Sequence, residues 1–302
     1  MQHRSPALLR PFLRHALAAM ACVVAVMPGP ARAIDWNAVQ GAEIPLFYPG
    51  LMSWEKVLTA ASHKGATKFR AGETCAGCHA GEEAEMGAAQ AKPDGYAGRS
   101  SLTVQLKAAV ADGSLHFQLS GPAVDGKAPA VALMLGNDAL KSTAQAGCWA
   151  ACHDDAPGMA SDSGLKLGKY LPRSRSRNTA TGGGDSVRPQ AELDAALAAG
   201  EFLELMEVDA AGKGERAWVL ERIQERELPG TSMRVEGGRW IAELARPLAA
   251  AGGDEIALAA GNTYHLGVAV HDPGGEGRRH LVSLHVSLSV GADAATVVAA
   301  TR

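Results

Sequence analysis

Cys75-Ala76-Gly77-Cys78-His79 constrains this chain more than any other stretch. Two cysteines separated by two residues, with a histidine directly after the second, form the pattern of covalent c-type haem attachment. The thiols join the haem vinyl groups as thioethers, and the histidine is carried beneath the iron as its proximal ligand. A looser copy follows at Cys148-Trp149-Ala150-Ala151-Cys152-His153, with one more residue between the cysteines. Two other uses of these residues remain open. Both cysteine pairs together would make a four-thiolate zinc site, and Cys148 with Cys152 would make a local disulfide.

The cysteine count favours haem. The chain has five cysteines, and Cys22 lies in an N-terminal leader. The other four all belong to the two motifs, so none is left for the structural disulfide an exported protein ordinarily carries. The leader itself is a secretory signal in pattern. Arg4, Arg10 and Arg14 precede an apolar stretch from Ala16 to Met27, Pro28-Gly29-Pro30 breaks it, and Ala31-Arg32-Ala33 supplies the small residues of a cleavage site. Cleavage after Ala33 is expected, with a periplasmic location and no retained membrane span, because the apolar run is short for a bilayer. Without the leader's four arginines, 25 basic residues face 32 acidic ones, a charge of −7. That excludes nucleic acid as a natural partner and suits docking to basic faces of redox proteins.

Residues 34–98 are expected to form a small, partly helical haem c module. Ser53-Trp54-Glu55-Lys56-Val57-Leu58 opens with an N-cap residue, and Lys92-Pro93-Asp94-Gly95 is a turn. From residue 99 to 302 the pattern is mainly β. Leu102–Leu106 and Leu115–Leu119 alternate, and Ala130–Leu135 is a continuous apolar run. Strands are also expected at Ala217–Leu220, Trp240–Leu244, Tyr264–Val270 and His280–Val290. Together they predict an antiparallel β-sandwich haem domain. Residues 172–190 are a long loop rich in Arg, Ser and Gly, and Ala191–Met206 fits neither helix nor strand cleanly.

An iron that only carries electrons needs a sixth ligand, usually His or Met. Besides His79 and His153, the chain after the leader holds His63, His116, His265, His271, His280 and His285. His63, just ahead of the first motif, is the candidate distal ligand of the first haem, with Met86 as its rival. For the second haem the order is His280, then His271, then Met134. Strand alternation places His280 at the head of the apolar Val282, Leu284, Val286 and Leu288, with His285 on the opposite, solvent-like face. His116 and His285 are left as structural.

The run from Ala146 to Asp155, with Met159 and Lys169-Tyr170-Leu171, resembles exported dihaem c-type cytochromes with an ethylbenzene dehydrogenase-type, dimethyl sulfoxide reductase-associated haem-binding domain. So do Tyr264–Asp272, Arg278–Ser283, and the front segment from Ser53-Trp54-Glu55 through His63-Lys64-Gly65-Ala66 to Cys75. The resemblance implies a haem-carrying β-sandwich. In the namesake, a haem b subunit of a molybdenum dehydrogenase, Met and Lys hold the iron; the place of that Lys is matched here by His280, which implies a His153/His280 pair. The whole pattern predicts two covalently bound haem c groups. It predicts an electron carrier, not an enzyme, working between a quinol-linked donor and a periplasmic reductase or oxidase. The alternatives are an electron-transfer subunit of a molybdenum oxidoreductase, a haem peroxidase with a five-coordinate iron, and a zinc-binding β-sandwich.

Overall fold

Alternation builds most of the sheet. The computed structural model describes residues 34–50, 57–93, 95–151, 187–219, 223–273, 280–291 and 295–301. The leader and the expected helix start at Ser53 to Lys56 lie outside them, as do Cys152, His153 and nearly all of the 172–190 loop. β1 (Gly41–Phe47) comes first. Three short helices follow: α1 (Ala66–Arg70), α2 (Cys75–His79) and α3 (Glu83–Ala91). β2 (Ser101–Ala111) and β3 (Ser114–Pro122) then bury every second residue, including Leu102, Val104, Leu106, Leu115, Phe117 and Leu119. Asp112 and Gly113 join them, both at positive φ (49° and 72°). A two-residue hairpin requires that twist.

β4 (Ala130–Gly136) leads into α4 (Lys141–Ala146) and a 3₁₀ turn at Gly147–Ala151. The ambiguous stretch from Ala191 resolves into two elements, α5 (Gln190–Ala198) and β5 (Leu203–Val208). β6 (Gly214–Val219), β7 (Ile223–Glu227), β8 (Ser232–Glu236), β9 (Arg239–Pro247) and β10 (Thr263–His271) follow. The stretch expected as one strand from His280 to Val290 is two, β11 (Leu281–Ser283) and β12 (Val286–Val290), before β13 (Val297–Thr301).

The strands form one sheet in the order β7-β6-β5-β4-β10-β11-β1-β2-β3-β9-β8. β12 continues β11 along β10, and β13 lies between β12 and β2, parallel to both. One slot in the sheet is therefore filled end to end by two strands, β1 and β13. All other pairings are antiparallel. Pro45 argues against a strand by pattern; it is accommodated because β11 pairs with β1 only at Leu46 and Phe47.

The sheet curls until its arms face each other, giving the sandwich from one sheet. β5 and β9 are not neighbours in the ladder, yet Arg246 of β9 donates to Glu204 of β5 at 3.1 Å. Both are buried to within 2%. Around them packs one apolar core that includes Trp240, Phe117, Leu133, Met206 and Phe202. Arg246 also donates to the Ile256 carbonyl, and the Ile256 amide donates to Glu204. α3 is pressed onto the start of β2 at Gly87, where a methyl group would overlap the Ser100 carbonyl. Among the described residues no helix is long and apolar enough to cross a membrane.

Candidate functional site

α2 is the first motif itself. Thr74 caps it, its hydroxyl accepting from the Gly77 amide at 2.8 Å. Residues three and four apart share a helix face, so one turn turns Cys75, Cys78 and His79 the same way. All three line one cavity of about 200 Å³. Its other walls are largely apolar: Phe47, Val57, Phe69, Met86, Trp149 and Leu284. His63 stands across it.

The spacing of the two imidazole rings matches that of a histidine pair sharing one metal. The ring centres of His63 and His79 are 6.0 Å apart with planes inclined by 31°. Two imidazoles bound through nitrogen on opposite sides of one metal, each about 2 Å from it, have centres roughly 6 Å apart. The His63 Nδ1–H donates to the Val57 carbonyl at 3.0 Å, and the His79 Nδ1–H to a Glu82 carboxylate oxygen at 2.8 Å. Each bond fixes the proton on Nδ1 and leaves the Nε2 lone pair available to a metal. Gly65 lets the His63 ring lie flat on the backbone; a methyl there would come within 2.9 Å of Cε1. Met86, the rival ligand, is part of the same wall.

The second motif enters the same neighbourhood. Trp149 is buried and packs with Phe69 and Ala146, against Val57, Leu58 and Cys75. Just before it, the Gln145 side-chain amide donates to the carbonyls of both Phe69 and Glu73. α4 thereby holds the loop that leads into α2. Cys148 and Cys75 both pack on the cluster of Phe47, Ala269, Val282 and Leu284. Cys148 lies directly over Gly267 of β10, where a Cβ would collide with its thiol and amide. Met134 is buried in β4, in register with Gly267. The motif leaves the described residues after Ala151, so Cys152 and His153 lie outside them.

A β-bulge corrects the expected alternation from His280 to Val290. Ala269 faces Val282 and Leu266 faces Val286, so three residues, Ser283 to His285, oppose two on β10. The Ser283 hydroxyl accepts from the Val268 amide at 2.9 Å in place of the lost ladder bond. The extra residue moves the inward face. Leu281, Val286 and Leu288 join the main core, while Val282 and Leu284 join the cluster under Cys75. His285 is therefore not on a solvent-like face. It sits on Gly147, where a side chain would crowd the Leu284–His285 backbone and where the φ of +58° also favours glycine. Its Nε2 is 2.8 Å from Nδ1 of His265, which donates through Nε2 to Asp138.

His271 and His280 are also brought together, with ring centres 4.6 Å apart and planes inclined by 27°. Burial first, then the neighbouring His280, pushes the His271 pKa down to about 3, so the ring is neutral and ligand-competent at neutral pH.

Burial, with His265 beside it, likewise lowers His285 to about 4. An unfolded histidine binds its proton near pH 6.5, so between 6.5 and 4 the unfolded chain holds a proton that the fold refuses. Stability therefore falls as pH drops through that window. Urea titrations across pH 7 to 4 check this: His285→Gln should flatten the decline, and an unchanged slope would remove His285 as its source.

A β-rich chain with a Cys-x-x-Cys-His helix facing a second histidine across an apolar cavity has the makings of a c-type cytochrome. No protein-family model matches the chain. It is 32% identical over 278 residues to cytochrome c-552 of Stutzerimonas stutzeri, covering 85% of this chain and 88% of that protein. It is 28% identical over 284 residues to cytochrome c-551 of Rhodocyclus tenuis, covering 88% and 98%. The chain belongs to the family of this cytochrome c-552, a family of c-type cytochromes.

Proposed function

We propose that this is a periplasmic dihaem cytochrome c that passes single electrons between a quinol-linked donor and a periplasmic reductase or oxidase. The observation that carries the reading is the 6.0 Å facing of His63 and His79 over the paired cysteines of α2. Bound there, a haem c supplies a one-electron iron couple. Cys75 and Cys78 would hold it covalently, His79 and His63 would supply nitrogen ligands to its iron, and the apolar walls would exclude water from the site. Two histidines leave no open position for peroxide, which speaks for electron transfer and against a peroxidase.

For the second haem, Cys148 and Cys152 are the attachment sites and His153 the proximal ligand. His280 is the preferred distal ligand, with His271 and Met134 as alternatives. The shared packing of Cys75 and Cys148, and the position of Trp149, support two groups close enough to exchange electrons. The β-sandwich is read as an ethylbenzene dehydrogenase-type haem domain, on the resemblance of the runs Ala146–Asp155, Tyr264–Asp272 and Arg278–Ser283. The leader supports export, and the −7 charge supports docking to basic partner faces.

Expression with cytochrome c maturation machinery tests the proposal. The chain should keep a haem-stained band on denaturing electrophoresis, with two haems per chain. Cys75→Ala/Cys78→Ala and Cys148→Ala/Cys152→Ala should each remove one. A wild-type chain with no covalent haem sinks the proposal, and a single haem removes its second site.

A further inference from the structure

The two histidines across the first cavity are not held alike. His63 leans on a neutral backbone carbonyl, and His79 on a carboxylate. We propose that Glu82 is a positioning residue that lowers the reduction potential of the first haem by acting through His79. This rests on the reading of a haem at α2.

The local fold is built to deliver Glu82 to that ring. Gly81 takes a φ of +90°, a left-handed conformation that glycine adopts without strain, and it ends α2 sharply. The Gly81 amide donates to the Glu83 side chain at 2.9 Å, and the Glu82 amide donates to the His79 carbonyl at 3.0 Å. Glu82 therefore holds His79 at two points, by its amide on the carbonyl and by its carboxylate on the ring. A carboxylate accepting from Nδ1–H pulls the proton away from the ring and makes Nε2 a stronger donor. A stronger donor favours the more highly charged ferric iron over the ferrous, so the couple lies lower. Glu82 is about half exposed (55%), and water screens part of its charge. The effect is thus set by the hydrogen bond more than by the field of the carboxylate.

Glu85 provides the matched control. It is exposed, is the third residue of α3, and carries the same charge. Glu82→Gln keeps a hydrogen-bond acceptor but removes the charge that strengthens it, whereas Glu85→Gln removes a charge that is not bonded to His79. The measurement is a spectroelectrochemical titration of the holoprotein, resolving each haem, with haem staining as the check on attachment. Glu82→Gln should raise the ferrous-to-ferric ratio of one haem by about threefold to tenfold at a fixed poise, tenfold being 59 mV for one electron. The other haem should stay in place, as should both in Glu85→Gln. An unmoved couple in Glu82→Gln overturns the inference. So does an equal shift in both variants, since that would be bulk charge alone. Loss of covalent haem from the wild-type chain is a different failure: it removes the haem reading itself.

Discussion

His63→Ala is expected to keep its first haem covalently attached and to lose that haem's low-spin spectrum. In the proposed site, attachment depends on Cys75 and Cys78, which the substitution does not touch. The proposed sixth ligand is His63, whose ring centre lies 6.0 Å from that of His79 and whose Nδ1 is held by the Val57 carbonyl. Removing it opens the iron to water or added ligand, so absorption and electron paramagnetic resonance should show a high-spin ferric component from one haem of two. His63→Met is the complementary experiment. Methionine in place of histidine raises the potential, by on the order of a few tenths of a volt within the roughly 0.8 V that axial ligands span. Met86 lines the same cavity. A His63→Ala protein that stays fully low-spin would move the ligand assignment to Met86.

Arg246→Ala is expected to cost about 3–5 kcal/mol of folding stability, the usual result of leaving a buried charge without its partner. Arg246 and Glu204 are 1% and 2% exposed, and they are bonded to each other and to the Ile256 backbone. Burial pushes the Glu204 carboxyl up, and Arg246 is the largest influence opposing that rise. Without Arg246 the carboxyl rises further. The variant should therefore be weakest at neutral pH and recover part of its loss as the pH falls and Glu204 takes up a proton. Replacing both with Met and Leu should restore most of the stability, because an apolar pair in that place need not be solvated. Urea midpoints at unchanged slope measure both variants against the wild-type chain. A loss below about 1 kcal/mol for Arg246→Ala would mean that water reaches the pair, the ordinary behaviour of an exposed ion pair.

Alternation made β2, β3, β9 and β10 legible, and an unbroken apolar run made β4 so; all five contribute to the common core. It failed where a second influence acts on the chain. Pro45 hides β1, whose place depends on where β11 stops pairing. A bulge divides β11 from β12, and one unpaired residue reverses the face of everything beyond it. Ala191–Met206 has mixed periodicity because a helix and a strand meet within it. At the site, two cysteines and a histidine are enough to name α2. Nearness in the chain points to His63, but its distance from His79 is set by how the segment folds back. Neither Trp149 in the wall of the first cavity nor His285 on Gly147 leaves a mark in local pattern. Both contacts join residues far apart in sequence.

The slot shared by β1 and β13 bears on the order of events as the chain emerges. β1 and β2 can pair as soon as both are made, yet the far end of the slot then stays empty until residues 297–301 arrive and pair with Ala109 and Val110 of β2. Through that interval β2 presents unpaired backbone groups, the kind of edge on which foreign strands add. A nascent chain of this protein is therefore most exposed to aggregation late, when nearly all of its core is already made, and chaperone dependence should fall sharply once β13 is available.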